Sequence, residues 1–197
     1  MSKRALLIVD VQNDFCPGGA LPVKNGDQVV EPLNRIVQFF DKNEYFIMAS
    51  RDWHPPNSKH FEKWPVHCVQ NNGNGTHGAQ FHPKLKLPGR TYVISKGMGI
   101  DDDGYSPFEG SYLLGNSSIP MEGLMLARQV EELYIGGLAT DYCVRAAVLD
   151  ALKRRYAVYL LLDACRAVDL NTGDGDQAIE EMKQAGAIIT STDEILK

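Results

Sequence analysis

The chain alternates short apolar runs with stretches in which apolar residues recur every three or four positions. The short runs are typical of buried β-strands, and the periodic stretches are typical of amphipathic helices. Leu33, Ile36 and Phe40, for example, share one stripe of a predicted helix. The pattern predicts strands at residues 5–9, 45–49, 91–94, 133–135, 157–162 and 187–190. It predicts helices at residues 28–40, 143–153 and 177–185.

Apolar strands separated by helices indicate a parallel sheet that is covered on both faces. We therefore expect the α/β class, as a three-layer α/β/α protein with a mainly parallel six-stranded sheet. Because no repeat or long linker divides the sequence, residues 1–197 are expected to form a single domain. Ligands in such folds bind beyond the carboxyl ends of the strands. The residues that follow each strand are therefore the first candidates for chemistry.

Composition narrows the classes of partner. The formal net charge of -5 argues against a surface for nucleic acid or an anionic membrane, since both need basic patches. No apolar run approaches the roughly 18 residues of a membrane span. The apolar stretch after Arg4 is too short for a signal peptide, so we expect a cytoplasmic protein. A homo-oligomer is compatible with the sequence, which does not fix the oligomeric state.

Cys143 is the strongest candidate nucleophile among four scattered cysteines, which do not form a disulfide framework. It falls in the first turn of a predicted helix, after Gly136-Gly137, which would let the chain turn off the strand. Thr140 or Asp141 can cap that helix. Free amides at a helix start favour a thiolate and can hold an oxyanion. The alternative is a small apolar residue packed beneath the helix.

Asp10 and Lys96 follow two other predicted strands and are candidate partners of this thiol. Ordinary pKa values near 8.5 for Cys and 3.9 for Asp make proton transfer cost roughly 6 kcal/mol. Asp10 can act as a base only if burial raises its pKa or if that of the thiol falls. Lys96 could lower the pKa of the thiol, although it would also lower that of Asp10. Taken singly, Asp10 could equally be a capping residue and Lys96 a solvated turn residue.

A candidate metal site follows the predicted strand at residues 45–49. Asp52 and His54 project to one side of an extended segment, and His67 could close the site from the following loop. Two imidazoles and a carboxylate suit one divalent ion, with zinc favoured over iron or manganese. His60 is a candidate fourth ligand, and Glu62 is a more remote one. Each histidine could instead be an ordinary core or surface residue.

Taken together, these segments resemble the nicotinamidase/pyrazinamidase family, within the isochorismatase-like cysteine hydrolases. The resemblance runs over nearly the whole chain and rests on motifs in the family's order. They are 9–15 (VDVQNDF), 51–56 (RDWHPP), 64–68 (WPVHC), Lys96-Gly97, 105–110 (YSPFEG) and 137–144 (GLATDYCV). The sequence departs from the common pattern between His54 and His67, where the stretch is short and His60 occupies the place of an extra ligand in some members.

The resemblance implies roles for named positions. Cys143 would be the nucleophile, with Asp10 as its general base and Lys96 as the third member of the triad. Asp52, His54 and His67 would hold the metal, which would bind the pyridine nitrogen of a substrate. A cis peptide would precede Ala139, whose amide would join that of Cys143 in an oxyanion hole. Other matching positions would line the pocket and stack on an aromatic ring, namely Phe15, Trp64 and Tyr105.

The function that the resemblance implies is hydrolysis of nicotinamide, and of pyrazinamide, to the acid and ammonia in NAD salvage. One alternative is another cysteine amidase of the superfamily, acting on a carbamoyl or ureido substrate. Such relatives usually lack the metal motif, which argues against them. A second alternative is a non-enzymatic metal-binding protein with an unreactive Cys143.

Overall fold

The computed structural model describes residues 3–71 and 73–197, and it contains one large sheet flanked by helices. The strands are β1 (Arg4–Val9), β2 (Phe46–Asp52), β3 (Tyr92–Lys96), β4 (Ser111–Leu114), β5 (Ser117–Pro120), β6 (Glu132–Leu138), β7 (Ala157–Arg166) and β8 (Ile188–Thr190). The helices are α1 (Val30–Lys42), α2 (Met121–Ala127), α3 (Arg145–Lys153), α4 (Asp174–Gln184) and α5 (Thr192–Ile195). The strand order is β5-β4-β3-β2-β1-β6-β7-β8.

The three-layer α/β/α fold is confirmed, but the expected number of six strands is wrong. The six predicted strands are all present and pair in parallel. The sheet has eight strands within the described residues, because β4 and β5 form an antiparallel hairpin at one edge. These edge strands are short, and Leu114 is 58% exposed, so the segment lacks the continuous buried run by which a strand is predicted.

Strand β1 shows why the predicted strands are continuous apolar runs in the sequence. Ala5, Leu7 and Val9 face one core with α2, α3 and α4, whereas Leu6 and Ile8 face a second core with α1. Because successive side chains point to opposite faces, burial on both faces demands apolar residues at every position. The sheet therefore lies between two helical layers, as the pattern predicted.

Helix boundaries follow the amphipathic stripes closely. A 3₁₀ turn at Gly26–Val29 leads into α1, and a wider turn at Thr140–Val144 leads into α3. The short helices α2 and α5 were not predicted, since four to seven residues carry too little periodicity. Helix α5 begins instead with a capping box between Ser191 and Glu194. No helix within the described ranges is both long and apolar enough to cross a membrane.

Candidate active site and metal centre

The carboxyl ends of four adjacent parallel strands bring the candidate residues together. Asp10 follows β1, Asp52 ends β2, Lys96 ends β3, and Cys143 lies in the turn after β6. Because β3, β2, β1 and β6 are neighbours, these four side chains meet at one edge of the sheet. All four are buried, as expected for a site enclosed above the strand ends.

Lys96 is at the centre of this group. Its Nζ lies 2.7 Å from Asp10 Oδ2 and 3.5 Å from Cys143 Sγ, and it also donates to Asp52 Oδ1. A further bond of 2.6 Å runs to the carbonyl oxygen of Gly104. The lysine therefore contacts the carboxylate of Asp10, the thiol of Cys143 and the carboxylate of Asp52. We call Asp10, Lys96 and Cys143 the thiol half of the site.

Burial and charge set the protonation of these groups. Burial raises the pKa of Asp10 to about 6, despite the opposing charge of Lys96. Burial also raises the pKa of the Cys143 thiol well above its usual value, and Lys96 offsets only part of this rise. Burial alone would lower the pKa of Lys96, but Asp10 and Asp52 outweigh it and hold this pKa well above the ordinary value. The resting group is therefore a neutral thiol beside a charged lysine and a carboxyl with a pKa of about 6.

The turn that carries Cys143 differs from the sequence prediction in three respects. Gly136 and Gly137 lie inside β6, where Gly137 has φ +134° and a side chain would collide with Val9 of β1. Their role is close strand packing. The expected cap by Thr140 or Asp141 is wrong, because Ala139 and Val144 occupy the cap positions of the turn and of α3, without side-chain cap bonds. Asp141 instead accepts hydrogen bonds from the amides of residues 168 and 169. The position of Cys143 was also expected to favour a thiolate, whereas burial raises the pKa of this thiol and Lys96 offsets only part of the rise. The cis peptide between Leu138 and Ala139 is confirmed.

Beside the thiol half, three imidazoles cluster next to Asp52. Ligand atoms of His54, His60 and His67 all lie within 4.8 Å of one another, and all three residues are buried. The Nε2 atoms of His54 and His67 lie 3.7 and 3.8 Å from Asp52 Oδ2, too far for hydrogen bonds. The His54 and His60 rings stack with centroids 4.7 Å apart. We call Asp52, His54, His60 and His67 the histidine half of the site.

The Nδ1 atom of each imidazole contacts an oxygen outside the cluster. His54 Nδ1 lies 3.0 Å from the carbonyl oxygen of Gly97, and His67 Nδ1 lies 2.7 Å from that of Pro65. His60 Nδ1 lies 3.2 Å from Asp103 Oδ1. In a neutral imidazole, an oxygen acceptor at Nδ1 places the proton there and leaves the lone pair on Nε2, which is the tautomer that binds a metal ion.

The histidine half fits a divalent metal ion. Among residues 3–71 and 73–197, nothing forms a hydrogen bond with the buried Nε2 of His54. A buried imidazole nitrogen without a partner is costly, and a metal ion would satisfy it. Burial alone would raise the pKa of Asp52, but the charge of Lys96 holds it well below its usual range, so this ligand is ionised. Three imidazoles and one carboxylate suit zinc, iron or manganese.

Another set of possible ligand atoms is less suited to a metal. Asp10, Asp52 and Cys143 also come within 4.8 Å of one another. The Lys96 ammonium already lies among all three, so a second cation would meet strong repulsion there. We therefore assign the candidate metal centre to the histidine half.

A cavity joins the two halves. It is lined by Asp52, His60 and His67 of the histidine half and by Ala139 and Cys143. Its apolar and aromatic wall comprises Phe15, Leu21, Val23, Trp64, Tyr105, Leu138, Tyr142 and Val168. The three residues predicted to line the pocket, Phe15, Trp64 and Tyr105, therefore line this cavity together with Ala139. A larger open groove along α1 contains no comparable set of convergent reactive groups.

Sequence reasoning missed several residues of the site. Tyr142 lines the cavity and packs edge-on against Trp64 at 5.1 Å; its position next to Cys143 was the available signal. Ser50 donates to Asp10 Oδ1 at 2.8 Å. Gln12 accepts from the amide of Asp52 at 2.8 Å and donates to its carbonyl oxygen at 2.9 Å, which fixes the end of β2. Glu62, the remote alternative ligand, is exposed.

The fold and the site together define a three-layer α/β/α protein with a buried cysteine, carboxylate and lysine at its strand ends. The family model described as the isochorismatase domain matches residues 4–194, and the chain belongs to this family.

Similar proteins match over nearly their full length. The nicotinamidase of Escherichia coli is 38% identical over 96% of this chain and 95% of its own. The nicotinamidase/pyrazinamidase of Mycobacterium tuberculosis is 35% identical over 92% of this chain and 95% of its own. The crystal structure of pyrazinamidase of Pyrococcus horikoshii in complex with zinc superimposes with a TM-score of 0.85. It is 40% identical, covering 96% of this chain and 99% of that one.

Proposed function

We propose that this protein is a nicotinamidase that hydrolyses nicotinamide, and also pyrazinamide, to the carboxylic acid and ammonia. The observation that carries the proposal is the single cavity that places a buried thiol beside a cluster of imidazoles. Full-length similarity to proteins named nicotinamidase supports the substrate class. The reaction would serve salvage of NAD, and the four free thiols suit the reducing cytoplasm.

In the first half of the reaction, Cys143 Sγ attacks the carboxamide carbon and its proton passes to Asp10. The tetrahedral adduct then collapses, the carbon–nitrogen bond breaks, and Asp10 returns the proton to the departing ammonia. Because the thiol is neutral at rest, attack and proton transfer must be coupled. The raised pKa of Asp10, about 6, makes its carboxylate a stronger proton acceptor than an ordinary aspartate.

In the second half, Asp10 removes a proton from water, which attacks the thioester formed on Cys143. The carbon–sulfur bond breaks, the acid leaves, and the sulfur recovers its proton from Asp10. Lys96 stays charged throughout and holds the Asp10 carboxylate 2.7 Å from its own Nζ. Its charge also stabilises negative charge on the sulfur at 3.5 Å.

The negative oxygen of each tetrahedral adduct needs hydrogen-bond donors close to Cys143. We assign this role to the amides of Ala139 and Cys143, since both residues line the cavity. Fixed amides in a buried site stabilise an oxyanion more strongly than water does.

The histidine half and the aromatic wall would position the ring. Asp52, His54, His67 and His60 would hold one divalent ion, with zinc as the first candidate. When bound, such an ion supplies a Lewis acid for the pyridine nitrogen. Phe15, Trp64 and Tyr105 offer aromatic surface for the ring, and Trp64 Nε1 donates to the Tyr105 hydroxyl at 3.0 Å, which fixes both side chains. A ring held at both ends presents its carboxamide to the thiol.

The test is ammonia release from nicotinamide by the purified protein, before and after treatment with a strong chelator. We expect release that the chelator abolishes and added zinc restores. Release that is unaffected after measured removal of the metal would contradict the role of the histidine half. No release from zinc-loaded protein would contradict the proposed substrate.

A further inference from the structure

The three imidazoles of the histidine half are not held alike. His54 and His67 are held at Nδ1 by backbone carbonyl oxygens of Gly97 and Pro65. His60 is held at Nδ1 by a side chain, the carboxylate of Asp103, which lies 43 residues away in the sequence. A backbone carbonyl persists whatever the residue, whereas this third anchor depends on the identity of residue 103.

Asp103 is fixed in turn by a second contact. Lys63 Nζ donates to its Oδ1 at 3.2 Å and to its Oδ2 at 3.1 Å. The carboxylate lines the cavity beside His60, and its side chain is 43% exposed. His60 itself is buried, with its ring stacked on that of His54.

We propose that Asp103 is a positioning residue that makes His60 the fourth ligand of the metal centre. This inference rests on the metal site of the proposed function. By accepting the Nδ1 proton, Asp103 keeps the Nε2 lone pair of His60 free and sets the plane of the ring toward the other two imidazoles. A carboxylate in this place also makes the imidazole a stronger ligand.

The same contacts could serve only to join two loops. Lys59 forms a neighbouring link of that kind, since its Nζ lies 2.5 Å from Asp101 and both side chains are exposed. Asp101 is therefore a matched control, because it lies on the same loop and pairs with the same short helical turn (Lys59–Glu62) but does not contact a histidine within the described residues. A contact that only joins the two loops would affect the stability of the loops. A positioning residue affects zinc binding through His60 alone.

The experiment measures zinc affinity of the metal-free, full-length protein by competition with a chromogenic chelator. We expect Asp103→Ala to weaken zinc binding by about 10- to 100-fold, and Asp101→Ala to leave it unchanged. Asp103→Asn keeps an oxygen acceptor for Nδ1 without the charge, so a smaller loss of about three- to tenfold is expected. In a His60→Ala background, Asp103→Ala should cause no further loss, because its effect passes through that ring.

Several outcomes would overturn the inference. Zinc affinity of Asp103→Ala within about twofold of the parent protein would do so, as would an equal loss in the His60→Ala background. If circular dichroism shows that Asp103→Ala is unfolded, Asp103→Asn decides. Parental zinc affinity in Asp103→Asn would overturn the inference, and an equal loss in Asp103→Asn and Asp101→Ala would show that the two contacts only join the loops. Failure of the parent protein to bind zinc would overturn the metal centre itself. The measurement on the parent protein therefore distinguishes a wrong metal centre from a wrong role for Asp103.

Discussion

The thiol half of the site is built on strand ends, whereas the histidine half depends largely on loops. Asp10 and Lys96 extend directly from β1 and β3, and neighbouring strands hold their backbones in register. Of the histidine half, only Asp52 belongs to a strand. His60 and His67 lie in the irregular segment after β2, and their rings are oriented by Asp103 and by the carbonyl of Pro65.

We therefore expect the thiol half to be rigid and the histidine half to be more adjustable. A central sheet buried between two cores opens only with global unfolding, so the thiol half should keep its geometry with or without a ligand. The histidine half depends on loop contacts and on the ion itself for its final geometry. We therefore expect changes in the thiol half to affect chemistry and stability together, and changes in the histidine half to affect metal binding first.

The largest expected effect on stability comes from Lys96→Met, which removes the cation shared by both halves. Asp10 and Asp52 would be left as unpaired buried carboxyls, so the free energy of unfolding should fall by about 3–5 kcal/mol. Loss of charge stabilisation should lower kcat/KM by about 100- to 1,000-fold. Chemical denaturation and ammonia release measure the two effects. Lys59→Met is the control, since its ion pair with Asp101 is exposed, and parental stability in Lys96→Met would contradict the central place of this lysine.

A smaller and more local effect is expected from Gly97→Ala. Gly97 has φ +64°, and a Cβ there would lie 2.4 Å from His54 Cε1. The ring would have to move away from the metal centre, so zinc affinity should fall by about 10- to 100-fold. Gly115→Ala is a matched control, with a similar φ of +57° and no atom within 4 Å of the added Cβ. In both variants the backbone strain should lower the free energy of unfolding by about 1 kcal/mol. Equal zinc affinity in the two variants would contradict the proposed clash with His54.

The smallest expected effect is a change in pH dependence. Since only ionised Asp10 can accept the thiol proton, kcat/KM should fall as the pH decreases through about 6. Ser50 donates to the ionised carboxylate and so lowers its pKa. Ser50→Ala should therefore raise the pKa of Asp10 and move the acid limb of the profile up by about one pH unit. A limb that stays in place or moves down would argue against Asp10 as the titrating base.

The sequence named the residues of both halves, but it did not predict the contact that orients His60, for a physical reason. Asp10, Lys96 and Cys143 each follow a buried strand, and parallel strands place their carboxyl ends at one edge. The contact between His60 and Asp103 spans 43 residues and depends on how two irregular loops close, which no local pattern encodes. Gly136 and Gly137 were assigned to a turn because glycine permits both turns and close strand packing.

Cys143 is the residue on which the proposed reaction depends most directly. The measurement is kcat/KM for ammonia release from nicotinamide by zinc-loaded Cys143→Ala, beside Cys165→Ala. Cys165 is a second buried thiol in the same core, on the neighbouring strand β7. We predict that Cys143→Ala loses activity by about 10,000-fold or more while it still binds zinc, and that Cys165→Ala stays within about tenfold of the parent. Ammonia release by folded Cys143→Ala at the parental rate would contradict the mechanism.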